Sequence, residues 1–436
     1  MKAKKIFIIA LIVILIVAAV VTVLYYKTDI FKSTSQRFWK YAGKNFEVID
    51  LTNNDDIQSL KNMRSNNPYE ITSNLFIQKG NSAITVYSNT SAENSSNIFT
   101  NVEAQYNDKE LINFNMAKKS NLIGIKVDEL ANGYITLKNS NLSQLAQDAG
   151  IENVSDLPEN INWFSLLDFL YMSTADEKYF VDTYSKIILN NTSKANYSKE
   201  QSGIKVNDVI HTATGYKMEL TEKEAKNVAK EILTHLKNED ARGINFISSK
   251  LKLMNLPKKY TDYDAVTGQI DKLIEELETY EASDEKYLEV IAYVDKGELL
   301  QTNIKVKNGS VVKLQFDRDN NKFFIIQENP NKELEKSTDN EFVKHLANVH
   351  EVCIESDVSK ENKSVITTMK ASFYDNLWID YNSRFAIVDS VDVNTDFESA
   401  PKIVLNDLEN DNLKKLYNMI MVRIPKIIED KKAIMK

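Results

Sequence analysis

The chain has 436 residues, of which 43 % are hydrophobic, so it is long enough for two or three domains with packed cores. Removing the three lysines of residues 1–5 from the 54 basic residues leaves 51 against 62 acidic ones, a balance of −11. The negative net charge argues against nucleic acid and anionic lipid headgroups as partners, because both bind clustered Lys and Arg. The single cysteine, Cys353, excludes an intramolecular disulfide.

The first long feature is an uninterrupted apolar run from Ile6 to Val23. A helix of this length spans the hydrocarbon core of a bilayer, which is about 30 Å thick. A cleaved secretory signal is the alternative, but it requires a shorter apolar region followed by a cleavage site of small residues. The small pair Ala18 and Ala19 lies inside the run. The pattern therefore favours an uncleaved membrane anchor.

The charges beside this run predict its orientation. Lys4 and Lys5 precede the run, and positive residues stay on the cytoplasmic side. Tyr25 and Tyr26 follow it, where aromatic rings with one polar end favour the outer interface. We expect these four residues to lie at the membrane interfaces. The bilayer is then a partner of the N-terminal helix, and the bulk of the chain is extracellular.

Beyond the anchor, a short helix is predicted over Ser33 to Ala42, and the apolar period then changes to two. Short alternating runs separated by polar turns are typical of an antiparallel meander. The predicted strands are Leu75–Ile77, Ala83–Tyr87, Asn101–Tyr106, Leu111–Asn115, Leu122–Val127 and Gly133–Leu137.

A helical segment follows the first meander. Residues 141–149 have one apolar face and end at Gly150, a residue that favours a helix C-terminus. Capping boxes are predicted at Thr174-x-x-Glu177 and Thr221-x-x-Glu224, with a Ser/Asn/Lys-rich loop near 190–203 between the two helices. The second helix has apolar residues at helical spacing over 225–236, so we expect it to cover a sheet.

The second half of the chain again contains a helix, then strands, then a helix. Its first element is an amphipathic helix predicted over 270–277. Four strands are then predicted between Tyr287 and Glu328, and three or four more between Val349 and Asp396. The last helix begins after Asn406, and Pro425 is expected to kink or end it. We expect that helix to pack on the second half of the chain.

This order of elements predicts an α+β protein. An N-terminal transmembrane helix is followed by two lobes, each an antiparallel meander sheet covered by amphipathic helices. The predicted divisions are a cytoplasmic tail at 1–5, an anchor at 6–26, a first extracellular lobe at 27–245 and a second at 246–436.

No pattern for catalysis, metal binding or nucleotide binding is present in the sequence. The four histidines lack the spacing of a zinc site, and the hydrolase and phosphate-loop motifs are absent. The spacing of Asp317, Asp319, Asn321 and Glu328 is that of an EF-hand loop, but Lys322 occupies the position that requires glycine, so a hairpin turn is favoured. The three tryptophans, Trp39, Trp163 and Trp378, are each expected in a core. We therefore predict a protein that is not an enzyme and has no cofactor.

The lysine-flanked anchor, the aromatic helix outside it, and the segments Asn141-Leu-x-x-Leu-Ala, Gly150-Ile and Leu157-Pro158 resemble a family of uncharacterised proteins. These are single-pass, membrane-anchored proteins of low-GC Gram-positive bacteria. The resemblance implies no activity and no functional residue. More distantly, a meander curved around helices is similar to the half-barrels of lipoprotein carriers, which hold acyl chains between sheet and helices.

Two functions of different classes stay open at this point, beside an enzyme of a type that no motif announces. The first is a membrane-anchored extracellular protein of the cell envelope that binds or scaffolds an unknown ligand, with an envelope protein as one possible partner. The second is a carrier of lipid or another apolar ligand, held between a sheet and helices such as 222–237. In the second case the apolar faces are binding surfaces as well as core.

Overall fold

The computed structural model describes residues 33–42, 59–60, 62–64, 66–140, 142–151, 160–161, 173–206, 209–253, 256–307, 309–317, 322–332, 347–393 and 396–435. The predicted anchor and its interface residues Lys4, Lys5, Tyr25 and Tyr26 lie outside these residues, as does Trp163. Within the described part, no helix combines the length and the apolar character that crossing a membrane requires.

The strands form two long antiparallel meanders and several shorter pieces. They are β1 Tyr69–Lys79, β2 Ser82–Asn94, β3 Asn97–Tyr106, β4 Lys109–Lys119, β5 Leu122–Lys126, β6 Tyr134–Lys138, β7 Tyr197–Val206, β8 Val209–Thr221, β9 Lys286–Asp295, β10 Glu298–Val306, β11 Val311–Asp317, β12 Lys322–Gln327, β13 Val349–Ser359, β14 Ser364–Phe373, β15 Leu377–Ile387 and β16 Lys402–Val404. The helices are α1 Thr34–Ala42, α2 Leu142–Asp148, α3 Thr174–Asn190, α4 Glu222–Asn238, α5 Ala241–Leu253, α6 Lys258–Thr261, α7 Tyr263–Thr279, α8 Asp396–Ser399 and α9 Asn410–Met435. The predicted meanders are confirmed, and the pairing of Asp317 with Lys322 confirms the hairpin between β11 and β12.

The sixteen strands of the described residues belong to one sheet, in the order β16-β6-β5-β4-β3-β2-β1-β15-β14-β13-β12-β11-β10-β9-β8-β7. The expectation of two separate sheets was therefore wrong. β1 of the first meander pairs along its whole length with β15 of the second, from Tyr69 opposite Ile387 to Lys79 opposite Leu377. This pairing removes two exposed strand edges, which would otherwise be open to association with other chains. The division of the chain at 245/246 stays a prediction.

Five helices, α1, α3, α4, α5 and α7, cover one face of the sheet near β7–β12 and form its main core. α4 begins with the predicted capping box, in which Thr221 and Glu224 satisfy each other's backbone N–H groups. Its apolar residues between Ala225 and Leu236 are buried, which confirms that this helix covers a sheet. Phe38 and Trp39 of α1 lie in the same core.

Three local predictions were wrong. Residues 197–206 form the edge strand β7 rather than a loop, since its pairing with β8 compensates for a polar sequence. Ser173, one residue before the predicted cap, caps α3 by accepting a hydrogen bond from the backbone N–H of Asp176. Trp378 is 41 % exposed rather than buried, because it occupies a position near the end of β15.

The far end of the sheet is covered by α2 and α9, and the C-terminal helix differs from expectation in two ways. It packs on α2 and β4, both in the predicted first lobe, rather than on the second lobe. It also continues through Pro425 to Met435. Proline leaves the carbonyl of Met421 without its helical partner, but both residues are exposed, so water can bond that carbonyl.

Candidate functional site

The registers between strands show which side chains share a face of the sheet. Residues directly opposite one another point to the same side, and so do residues two apart along a strand. We call the side on which α1 and α4 pack the helix-side face. Phe316 and Phe323 belong to that core and pair with each other. Their partners on the following strands therefore lie on the helix-side face as well.

Starting from Phe316, a row of opposed residues crosses nine neighbouring strands, and every member is apolar. The row consists of Phe316, Phe323, Ile354, Met369, Tyr381, Leu75, Val86, Ala104 and Ile112. At about 4.8 Å between strands, it extends about 38 Å across the sheet.

A second apolar row lies two residues away on the same face. It consists of Leu314, Ile325, Val352, Ala371, Ile379, Ile77, Ile84 and Tyr106, from β11 to β3. The two rows together form a band that we call the apolar stripe. None of its members carries a charge, so the stripe is a continuous apolar surface.

The burial of the stripe changes along its length. At the end beneath the helices, Phe316 and Phe323 are buried. From β13 to β4 the side chains are half-buried, apart from the buried Ala371 and from Ile84, which is 39 % exposed. The principal contacts between described helices and strands explain this change, because α1 and α4 contact β7–β10 and α9 contacts β4. The stripe thus leaves the core and continues over strands that those helices do not cover.

The opposite face of the same strands is more polar, although it also carries Phe76, Trp378 and Tyr87. Asn74 beside Leu75 is exposed, and Asn101 on β3 donates hydrogen bonds of 2.9 Å to the side chains of Asn113 and Asn115. Strands of this kind have one face suited to water and one suited to apolar contact. The half-buried apolar side is therefore the side on which a ligand would gain by displacing water.

A row of hydroxyl groups borders the apolar stripe. Its members are Ser356, Thr367, Ser383, Ser73 and Ser88, on β13, β14, β15, β1 and β2. The Ser73 and Ser383 hydroxyls are 3.0 Å apart, and those of Ser356 and Thr367 are 3.4 Å apart. Such cross-strand pairs stabilise the sheet. They also place polar atoms next to the apolar stripe.

A cavity of about 260 Å³ lies at the far end of the sheet between α2 and α9. It is lined by Leu137, Leu142, Leu145, Ala146, Ala149, Ile151, Ile161, Leu405, Leu413, Leu416, Tyr417 and Ile420. An apolar cavity of about 150 Å³ can hold a benzene ring, whereas pockets for larger ligands start at about 300 Å³. This cavity is suited to a short apolar group rather than to a whole lipid.

Comparison with known proteins gives a family. A family of unknown function (DUF6583) matches residues 1–348. The chain belongs to this family. That result agrees with the expected membership of a family without an assigned activity. No curated protein matches the chain.

Two solved structures are similar over most of the chain at low scores. A LolA superfamily protein from Nitrosomonas europaea is 7 % identical, with 76 % of this chain and 94 % of that chain covered, and a TM-score of 0.20. An outer membrane lipoprotein-sorting protein domain from Vibrio parahaemolyticus is 8 % identical, with 81 % and 97 % covered, and a TM-score of 0.21. TM-scores this low support no conclusion about the fold or the function of this chain.

The alternative function considered from the sequence places a ligand between a sheet and helices such as 222–237. The apolar face of α4 is packed as core there, with Ile232 fully buried. The half-buried apolar surface lies instead on strands β13–β15 and β1–β4. Each strand showed alternation in the sequence, but the alignment of the strands into rows depends on their registers, which alternation alone does not reveal.

The buried titratable groups of the helical core are structural. Asp240 accepts hydrogen bonds of 2.7 Å from the hydroxyls of Tyr179 and Tyr184 and one of 2.6 Å from the backbone N–H of Gly243. Burial, followed by the bond to Asp240, raises the pKa of Tyr184. A carboxylate with this many partners satisfies buried donors. Among the described residues, no group of His, Cys, Asp and Glu could hold a metal ion.

Cys353 lies on β13 beside the stripe positions Val352 and Ile354 and faces the polar side of the sheet. It is half-buried, as its alternating sequence predicts. Burial raises the pKa of its thiol, and the nearby Lys322 lowers it only in part. The thiolate is therefore scarce at neutral pH, which is typical of a packed cysteine rather than a catalytic one.

Proposed function

We propose that this protein binds a lipid or another apolar ligand along the apolar stripe. The observation that carries the proposal is the half-buried part of the stripe, where apolar residues continue over seven strands beyond the helical core. A contiguous apolar surface that is partly exposed is costly in water and is typical of binding sites.

The dimensions of this surface fit an acyl chain. Seven strands at about 4.8 Å spacing extend about 29 Å, whereas an acyl chain spans half of a hydrocarbon core that is about 30 Å thick. One extended chain, or two end to end, can therefore lie along the stripe. Within the hydroxyl row beside it, the half-buried Ser73, Ser88 and Ser383 can hydrogen-bond to the polar end of such a ligand.

We also propose that the protein acts at the outer face of a cell membrane, as an anchored and non-enzymatic component of the envelope. The apolar run from Ile6 to Val23 and the flanking lysines support this location. An anchored protein with an apolar binding surface is suited to holding lipid close to the bilayer. The outward orientation also allows envelope proteins as partners.

Native mass spectrometry of residues 28–436, expressed in cells and purified gently, tests the binding. We expect co-purified lipid on the wild type and its loss from the double variant Leu75→Lys, Met369→Lys, because two charges then interrupt the stripe. The matched control is Asn74→Lys, Thr368→Lys, which changes adjacent positions on the opposite face. Circular dichroism shows whether each variant is folded.

Two results would contradict the proposal. A wild type that carries no bound mass has no ligand on the stripe. Equal lipid on the stripe variant and on its control would place the ligand elsewhere.

The orientation has its own test in wall-stripped cells. External protease should remove the extracellular part, and a membrane-impermeant maleimide should label Cys353. Because maleimide reacts with the thiolate and burial raises the pKa of this thiol, labelling should be faster at higher pH. Full protection from the protease until the cells are lysed would reverse the predicted topology.

A further inference from the structure

The C-terminal helix differs in charge from the rest of the chain. Helix α9, Asn410–Met435, contains six basic and three acidic side chains, although the whole chain has a net charge of −8. Lys414, Lys415 and Lys426 are exposed on α9. Clustered lysines of this kind attract an anionic surface even when the protein as a whole is acidic.

The same helix is apolar on two sides. Leu413, Leu416 and Ile420 face the cavity beneath it. On the outward side Val422 is 75 % exposed and Met419 is 38 % exposed. An α-helix advances by about 100° per residue, which places Val422 and Met419 on the same side as Lys415 and Lys426, with Lys414 at the border of that side. The exposed Asp411 and Glu429 lie on that side as well. The outward side therefore presents exposed apolar side chains beside lysines, with two acidic residues among them.

We propose that this outward side of α9 binds the surface of an anionic lipid bilayer. Apolar side chains beside lysines are typical of helices that lie in a membrane interface, where the apolar groups enter the headgroup region and the lysines pair with lipid phosphates. A second copy of the chain docked face to face would bring two sets of lysines together, which is unfavourable. Nucleic acid would pair with the lysines but would gain nothing from Val422.

The position of α9 makes this a second membrane contact, distant from the anchor. α1 packs on β7–β10, and the seven residues between the predicted anchor and α1 can extend at most about 25 Å. α9 contacts β4, which is nine strand spacings from β10, or about 43 Å along the sheet. When the anchor next to α1 and the outward side of α9 both contact the membrane, the sheet lies along the bilayer. The inference is independent of whether the apolar stripe holds a ligand.

The test uses the full chain in proteoliposomes of phosphatidylcholine, with or without phosphatidylglycerol. In a Cys353→Ser background, Val422→Cys is labelled with an environment-sensitive fluorophore, and spin-labelled lipids act as quenchers. Lys360→Cys, in the turn after β13, is the control site. We expect several-fold stronger quenching at position 422 than at 360 in anionic vesicles. High salt should weaken it, because screening reduces the attraction of the lysines.

Charge reversal distinguishes this contact from general attraction. The variant Lys414→Glu, Lys415→Glu, Lys426→Glu should lose the quenching, whereas Lys199→Glu, Lys305→Glu, Lys360→Glu, with the same change in net charge, should keep it. An unchanged pattern of tryptic fragments shows that each variant is folded. Absence of quenching at 422 in anionic vesicles, or quenching that survives the α9 reversal, would overturn the proposal. A blue shift of the fluorophore at position 422 that grows with the density of protein in the vesicles, but is not quenched by spin-labelled lipid, would also overturn the proposal. It would indicate a contact between copies of the chain.

Discussion

At the scale of single residues, the buried polar groups around α4 have partners that hold the helices to the sheet. Glu222, the first residue of α4, accepts hydrogen bonds from the backbone N–H of Ser283 at 2.8 Å, from the Ser283 hydroxyl at 2.6 Å and from the Tyr280 hydroxyl. These bonds attach the start of α4 to the segment between α7 and β9. Burial, followed by the bond to Glu222, raises the pKa of Tyr280 to about 12.

The pKa of Glu222 predicts how this attachment depends on pH. Burial alone raises it, but the hydrogen bonds from Ser283 and Tyr280 outweigh burial and hold it below its ordinary value. A depressed folded-state pKa stabilises the protein above the unfolded-state pKa of about 4.3, and that stability is lost as the pH falls through the folded-state value. We expect Glu222→Gln to lower the free energy of unfolding by about 1 kcal/mol at pH 7, the typical net contribution of one hydrogen bond, because Glu222 is only half-buried.

Urea unfolding of both proteins at several pH values measures this effect. The difference should shrink below about pH 4, because the wild-type carboxylate is then protonated. Glu231→Gln, at an exposed position of the same helix, should leave the stability nearly unchanged. A difference that stays constant down to pH 2 would show that the ionised form of Glu222 plays no part.

At the scale of elements, α9 covers its end of the sheet through a few apolar contacts around the cavity. Leu413 is 4 % exposed and lines that cavity. Leu413→Ala should enlarge the cavity and destabilise the protein by about 3 kcal/mol, since a Leu→Ala change removes buried atoms and leaves a void. Thermal unfolding followed by circular dichroism checks this expectation.

Asn412→Ala is the matched control for α9, because Asn412 is the preceding residue and is exposed. A surface change of this kind should alter stability by no more than about 0.5 kcal/mol. Equal melting temperatures for the two variants would mean that α9 contributes little packing at this position.

Edge strand β7 shows where sequence patterns fail at this scale. Its residues Tyr197–Val206 are mostly polar and exposed, so the sequence looks like a loop. The strand exists because β8 offers it a full ladder of backbone partners, with Tyr197 opposite Met218 and Val206 opposite Val209. A signal was present in the apolar Ile204 and Val206, two residues apart, but it is too short to predict a strand.

At the scale of the whole molecule, the ladder between β1 and β15 joins the two meanders into one sheet. β8 and β9, on either side of the predicted boundary at 245/246, also pair along most of their lengths. Separate unfolding of the two predicted lobes would have to break both ladders. We therefore expect calorimetry of residues 27–436 to show one cooperative transition, with equal calorimetric and van't Hoff enthalpies.

Two resolved transitions would contradict this expectation and would support independent lobes at 27–245 and 246–436. The pieces 27–245 and 246–436, expressed separately, provide the control. Each should fold poorly, because each has lost its partner for the edges of β1, β8, β9 and β15.

The sequence by itself determined the class of fold, most strands of the two meanders and the start of α4. These depend on local patterns, namely alternation, polar turns and the Thr221 capping box, which neighbouring residues specify among themselves. Only the tertiary structure decided that β1 joins β15, that α9 crosses to the other half of the chain, and that Leu75, Met369 and Val86 fall into one row. Strand partners and registers are set by contacts between residues distant in the sequence, and a shift by one residue would turn every apolar side chain to the opposite face. The candidate site is such a row, so the individual strands could be predicted but the surface that they form together could not.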